Sequence, residues 1–247
     1  MSNKFSTIVL YAVLFLACLA LPSSLSYAED ILKIGRMKVT IMPEYDSQSV
    51  LVVQEGKFAD RTMFPKHVTF SIPQGVDKLT DACSLSPGGQ HFCQLYDIAK
   101  GDARNFVKIG LPYSDFFIDY KYSPFPIKEN AKREFTFSVF TYYDIQTLEV
   151  DIQRPYRVKD FTITPSSEET YTKKDFEYTK YTFNDVKAEE EKVFNISYFK
   201  EDTRPSVDIK YESMSTQGFF DGNIGELLLG AGVLALAALF YLRRKKN

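Results

Sequence analysis

The sequence has no tryptophan and only two histidines and three cysteines among its 247 residues. Each shortage excludes something. Two histidines and three cysteines leave little material for nucleophilic or metal-dependent catalysis. The absence of tryptophan removes the largest side chain that stacks on a sugar ring. A formal net charge of −2 removes the basic footprint that nucleic-acid binding requires. With 12 glycines and 11 prolines, the chain is neither low-complexity nor collagen-like. The Gly-x-Ser-x-Gly elbow, the phosphate-cradling glycine loop, the His-Glu-x-x-His zinc motif and the Cys-x-x-Cys-His haem attachment are all missing from the sequence. The expectation is a protein that is not an enzyme and holds no cofactor and no metal.

What the sequence does contain begins with membrane signals at both ends. Residues 1–28 read as a secretory signal peptide: Lys4 supplies the positive flank, Ile8 to Leu21 the apolar stretch, and Ser26-Tyr27-Ala28 the small residues before cleavage at Glu29. A lipoprotein reading through Cys18 is the weaker alternative, because the apolar run continues past it. Near the other end, Leu227 to Leu242 is uninterrupted and apolar, and Arg243, Arg244, Lys245 and Lys246 follow at once. At 1.5 Å per residue this run covers about 24 Å, and the residues from Phe219 onward extend it toward the roughly 30 Å of a bilayer core. Four cations directly after it mark the cytoplasmic side. The expected topology is an extracytoplasmic N-terminal ectodomain (periplasmic or cell-surface), one span over 219–242 and a cytoplasmic stub over 243–247.

Between these signals, period-2 alternation dominates. Met37, Val39 and Ile41 share one strand face, as do Val68, Phe70 and Ile72, then Phe135, Phe137 and Val139, then Leu148, Val150 and Ile152. Turn residues punctuate the chain about every ten positions, which predicts an antiparallel sandwich or barrel. The Ala188 to Lys192 stretch has helical propensity but no apolar stripe, so it reads as a solvated turn. Aromatic content shifts along the ectodomain, with 7 Phe or Tyr in residues 29–112 and 22 in residues 113–218. Two tandem immunoglobulin-like β-sandwich modules, 29–112 and 113–218, are therefore expected, with Leu111-Pro112-Tyr113 or Ser123 to Pro126 as the junction.

The best-defined local feature runs from Cys83 to Cys93. A three-residue loop on Pro87-Gly88-Gly89 pairs Leu85 with His91 and Cys83 with Cys93, which makes a cross-strand disulfide in an oxidising exterior. Closing about 11 residues contributes roughly 3 kcal/mol in the chain-entropy view. A metal site on Cys83, His91 and Cys93 lacks a fourth ligand and the usual zinc spacing.

Candidate ligand-facing residues are Tyr120, Tyr122, Tyr142 and Tyr143, where rings are adjacent or alternating, with Asp115 and Asp119, which bracket Phe116-Phe117-Ile118. Glu44 and Asp46, flanking Tyr45, form a second carboxylate pair. Together these features predict a membrane-anchored, non-enzymatic binding or assembly protein of the cell envelope, whose partners are the bilayer and another envelope protein. A carbohydrate or cell-wall binding module is the first alternative. The second is an accessory subunit of a membrane respiratory or transport complex, using Gly225, Glu226, Gly230 or Gly232 against a partner helix.

Overall fold

The structure is a computed structural model that describes residues 32–207. The expected signal peptide, span and basic stub lie outside them. Among the described residues no helix is long and apolar enough to cross a membrane.

The chain is all-β. Strands are numbered along it, and eight of them form one sheet: β1 (Lys33–Pro43), β2 (Val50–Phe58), β4 (Asp81–Leu85), β5 (His91–Cys93), β8 (Asp115–Tyr122), β10 (Asp144–Gln153), β12 (Thr170–Lys173) and β13 (Phe176–Val186). Their order is β12-β13-β10-β1-β2-β8-β4-β5. All neighbours are antiparallel except β1 and β10, which run parallel with Lys33 beside Asp144 and Ile41 beside Ile152. Two three-stranded sheets accompany it. One contains β3 (Lys66–Ile72), β7 (Asn105–Leu111) and β6 (Tyr96–Ala99); the other contains β11 (Val158–Thr164), β14 (Lys192–Lys200) and β9 (Ala131–Val139).

The alternation in the sequence explains how these layers meet. Met37, Val39 and Ile41 on β1 and Leu148, Val150 and Ile152 on β10 are fully buried on one face of the large sheet. Both small sheets pack on that face. Phe70 of β3 meets Phe116 of β8 at 4.7 Å between ring centroids, Phe135 and Phe137 of β9 meet Tyr122, and Phe194 of β14 meets Tyr181 of β13 at 4.9 Å. One continuous apolar cluster results. Each fully buried aromatic or branched side chain in it contributes about 1.5–3 kcal/mol of transfer free energy.

The expected division at residue 112 falls between β7 and β8. Strand β8 bonds to β2 and to β4, so Asp115–Tyr122 shares a sheet with strands of the first half. The chain passes between the two sets of strands at Ser123 to Pro126, where Phe125 is buried against Phe135 and Tyr198. Beyond that point β9 to β14 pair among themselves, and the β1–β10 ladder joins the two sets.

Candidate interaction surface at the stapled hairpin

The β4–β5 hairpin is built from its turn outward. Gly89 adopts φ +77°, a left-handed conformation that favours glycine, and its N–H donates to the Ser86 carbonyl at 2.8 Å. Cys83 lies opposite Cys93 and Leu85 opposite His91, the register the loop length requires. The two cysteines are bonded in a disulfide. Asp81 lies within 4.8 Å of both sulfurs, but bonded sulfurs are not thiolates and offer no ligand set for a cation.

Ser84 ties the hairpin to the loop before β8. Its hydroxyl is fully buried, accepts the Tyr113 N–H at 3.0 Å and lies 3.1 Å from the Tyr113 carbonyl. This places the Tyr113 ring 5.6 Å from that of Phe92. Phe92 is 40% exposed, Tyr113 37% and Leu95 97%. The stapled edge of the large sheet therefore presents an apolar surface to solvent. Two shallow cavities of about 300 Å³ each lie beside it, sharing Leu85 and Asp115; one reaches Arg36 and Lys57, the other Arg61 and Phe64.

Of the aromatic residues expected to face a ligand, Tyr120 and Tyr122 lie in the core, which corrects that reading. They continue the buried face begun by Phe116 and Ile118. Burial pushes both phenols well above the ordinary tyrosine range; Tyr120 accepts a hydrogen bond from Gln54 at 3.0 Å, which opposes part of that rise. Tyr143 is half-buried, accepts the Thr69 N–H at 2.9 Å and meets Phe58 edge-on. Tyr142 is exposed, beside Phe106 and Phe140, with the Arg104 guanidinium 3.8 Å above the Phe140 ring. These residues do not form one cluster. Asp115 and Asp119 share the outer face of β8. Asp115 accepts from the Ser114 hydroxyl at 2.8 Å. Asp119 accepts the Asp81 N–H, and burial, with the Asp81 and Asp46 carboxylates nearby, raises its pKa above the ordinary value.

The second carboxylate pair separates. Asp46 bonds to Lys121 at 2.6 Å near the surface. Glu44 is fully buried, with a backbone φ of +46°. Its Oε1 accepts from the Tyr198 hydroxyl at 2.9 Å and lies 3.3 Å from Arg133 Nε, and its Oε2 accepts from Lys200 Nζ at 2.9 Å. Arg133 and Lys200 are also fully buried. The last described segment is held by the same group of residues: Ser206 N–H donates to the Glu44 carbonyl, Val207 N–H to the Tyr45 carbonyl, and Lys200 Nζ to the Arg204 carbonyl. Burial pushes the Asp202 carboxyl upward, but hydrogen bonds from Arg157 and Arg204 outweigh it and hold the group below its usual value. Glu44, Arg133 and Lys200 are closed to solvent, Asp202, Arg157 and Arg204 at the rim are partly exposed, and the network holds the end of the described chain at the C-terminal end of β1.

A further buried carboxylate, Asp151, sits on the other face of the large sheet. Lys38 reaches its Oδ2 at 2.6 Å, and the Tyr171 hydroxyl donates to the same oxygen. Burial and the Asp151 charge push the Tyr171 phenol well up. Nearby rings stack on one another, Tyr171 on Tyr178 at 5.1 Å and Tyr156 on Phe176 at 4.1 Å.

No protein-family model matches this chain, and neither does any curated protein. Among solved structures it is similar to a protein from Parabacteroides distasonis proposed to be a protease. That match has 7% identity and a TM-score of 0.41, and it covers 68% of this chain and 40% of that one.

Proposed function

We propose that this is a membrane-anchored extracytoplasmic protein with a non-enzymatic binding or assembly role in the cell envelope. In this reading residues 1–28 direct export, Leu227 to Leu242 span the bilayer ahead of the basic stub, and two immunoglobulin-like sandwich halves stand outside. The observation that carries it is the apolar edge at the stapled hairpin, where the Phe92 and Tyr113 rings lie 5.6 Å apart and both, with Leu95 further along the chain, are exposed. Clustered large apolar side chains on a surface mark a contact site more often than chance exposure. The buried carboxylates support the non-enzymatic part: Glu44 and Asp151 are closed off and hydrogen-bonded. His67 and His91 lie in different sheets.

Alkaline extraction of membranes from cells making the full chain, followed by crosslinking in intact cells, tests this reading. The chain is expected to stay with the membrane and to crosslink in constant proportion to a partner. Release into the soluble fraction, or recovery only as a lone monomer, contradicts it.

A further inference from the structure

Asp81 and Cys83 flank Ala82 on β4, and Ala82 points into the core. Side chains alternate along a strand, so both project from the opposite face of the large sheet, where Cys93 meets Cys83 from β5. The Asp81 carboxylate oxygen and the two sulfurs all lie within 4.8 Å of one another. Cys83 is buried, whereas Asp81 and Cys93 are exposed. Lys121, on the neighbouring strand β8, is taken by Asp46 at 2.6 Å, and Asp81 makes no ion pair among the described residues.

The exposed position of Cys93 on a three-residue terminal strand opens its sulfur to attack. A thiolate of a dithiol reductant attacks Cys93 Sγ, and Cys83 leaves as a thiolate. The second thiol of the reductant then resolves the mixed disulfide, releasing Cys93 and leaving the reductant oxidised. Two electrons and two protons pass to the hairpin. Its frame does not depend on the bond that is broken. Asp81–Leu85 stays paired with β8 from Asp119 to Asp115, and β5 keeps its register on β4, with Gln94 N–H donating to the Ala82 carbonyl. Reduction therefore leaves two thiols and a carboxylate side by side, three groups that cannot all carry negative charge without a cation among them.

We infer that Cys83, Cys93 and Asp81 of the reduced hairpin bind one divalent cation of the zinc class, and that closing the disulfide expels it. Binding releases the two thiol protons, and the cation takes the place of the missing positive charge. Two thiolates on one tetrahedral zinc, each at about 2.3 Å, lie about 3.8 Å apart. Opposed cross-strand residues, with Cβ atoms about 4.5–5.5 Å apart, span that separation by side-chain rotation. Two sulfurs and one oxygen suit zinc better than calcium or magnesium, and the exposed side of the site leaves the fourth position to water.

The test is titration with cobalt(II) and zinc(II) of the full-length chain in mild detergent, carrying Cys18→Ser so that only the hairpin supplies sulfur. One sample is reduced with a phosphine and one left oxidised. The reduced chain is expected to bind one ion, with thiolate-to-cobalt charge-transfer absorption, and the oxidised chain none. Losing a direct ligand should cost no less than an outer partner does, so Asp81→Asn should weaken binding by about tenfold or more. Asp81→His, which supplies another zinc ligand, should restore it. A reduced chain that takes up neither ion, or binds without the charge-transfer absorption, overturns the inference. Equal affinity in Asp81→Asn, or no recovery in Asp81→His, overturns the place of Asp81 in the ligand set.

Discussion

Replacing Glu44 by alanine removes the carboxylate that lies between two fully buried cations. Arg133 Nε is 3.3 Å from it and Lys200 Nζ 2.9 Å, and both side chains have no exposed surface. What remains for Lys200 is the Arg204 carbonyl and Asp202 at 3.8 Å; what remains for Arg133 is the Ala131 carbonyl and a long contact to the Asp202 carbonyl. Breaking a buried ion pair by deleting one partner typically costs about 3–5 kcal/mol, because the other charge stays desolvated. For a domain of this size that corresponds to a melting temperature lower by roughly 6–20 °C. Urea unfolding of the purified chain should show a lower midpoint with an unchanged slope. The Glu44→Leu, Arg133→Leu, Lys200→Met triple variant removes all three charges and should recover most of the loss, since apolar replacement of a whole buried ionic group is often neutral. A Glu44→Ala protein within about 1 kcal/mol of the parent would refute the reasoning, because it would mean the cations find water or other partners when the carboxylate goes.

Opening the hairpin by Cys83→Ala with Cys93→Ala should cost about 3 kcal/mol, the loop-closure value for 11 residues, read as a shift in the unfolding midpoint under non-reducing conditions. Gly56→Ala should destabilise by about 1–3 kcal/mol. Its added carbon falls 2.5 Å from the Phe116 ring and 2.6 Å from the Arg36 carbonyl oxygen, and the backbone oxygen cannot move aside; calorimetry checks it. The raised pKa of Asp119 means the folded chain holds that proton to higher pH than the unfolded chain does. Stability from this group is therefore lost as pH rises from the ordinary value of 3.8 through the folded value. Asp119→Asn should flatten that slope and melt higher than the parent at pH 7; a lower melting point there would contradict the assignment.

Much of the fold was legible because burial follows parity. The faces read from Met37-Val39-Ile41 and Leu148-Val150-Ile152 are the buried ones. The hairpin register was legible because nine residues between two cysteines, with a glycine-bearing turn at their centre, allow few alternatives. Tyr120 and Tyr122 were misread because alternating tyrosines around Lys121 suggested a surface, although their parity continues that of Phe116 and Ile118. The pairing of β8 with β2 and β4 is long-range and leaves no trace in composition. Glu44 looked like a loop carboxylate after Pro43. Its partners Tyr198 and Lys200 lie 154 and 156 residues away, a distance that no local pattern spans. The edge was also hidden: Phe92 has the opposite parity to the two cysteines, and only the sheet order shows that nothing among the described residues pairs beyond it.

The most direct measurement of the binding role is native electrophoresis of the full-length protein, extracted from its own membranes in mild detergent, beside the Phe92→Lys variant. The parent is expected in a discrete complex larger than the single chain, and the variant, equally folded by its melting curve, at the mass of the chain alone. Identical migration of the two at the mass of the chain alone would contradict the account.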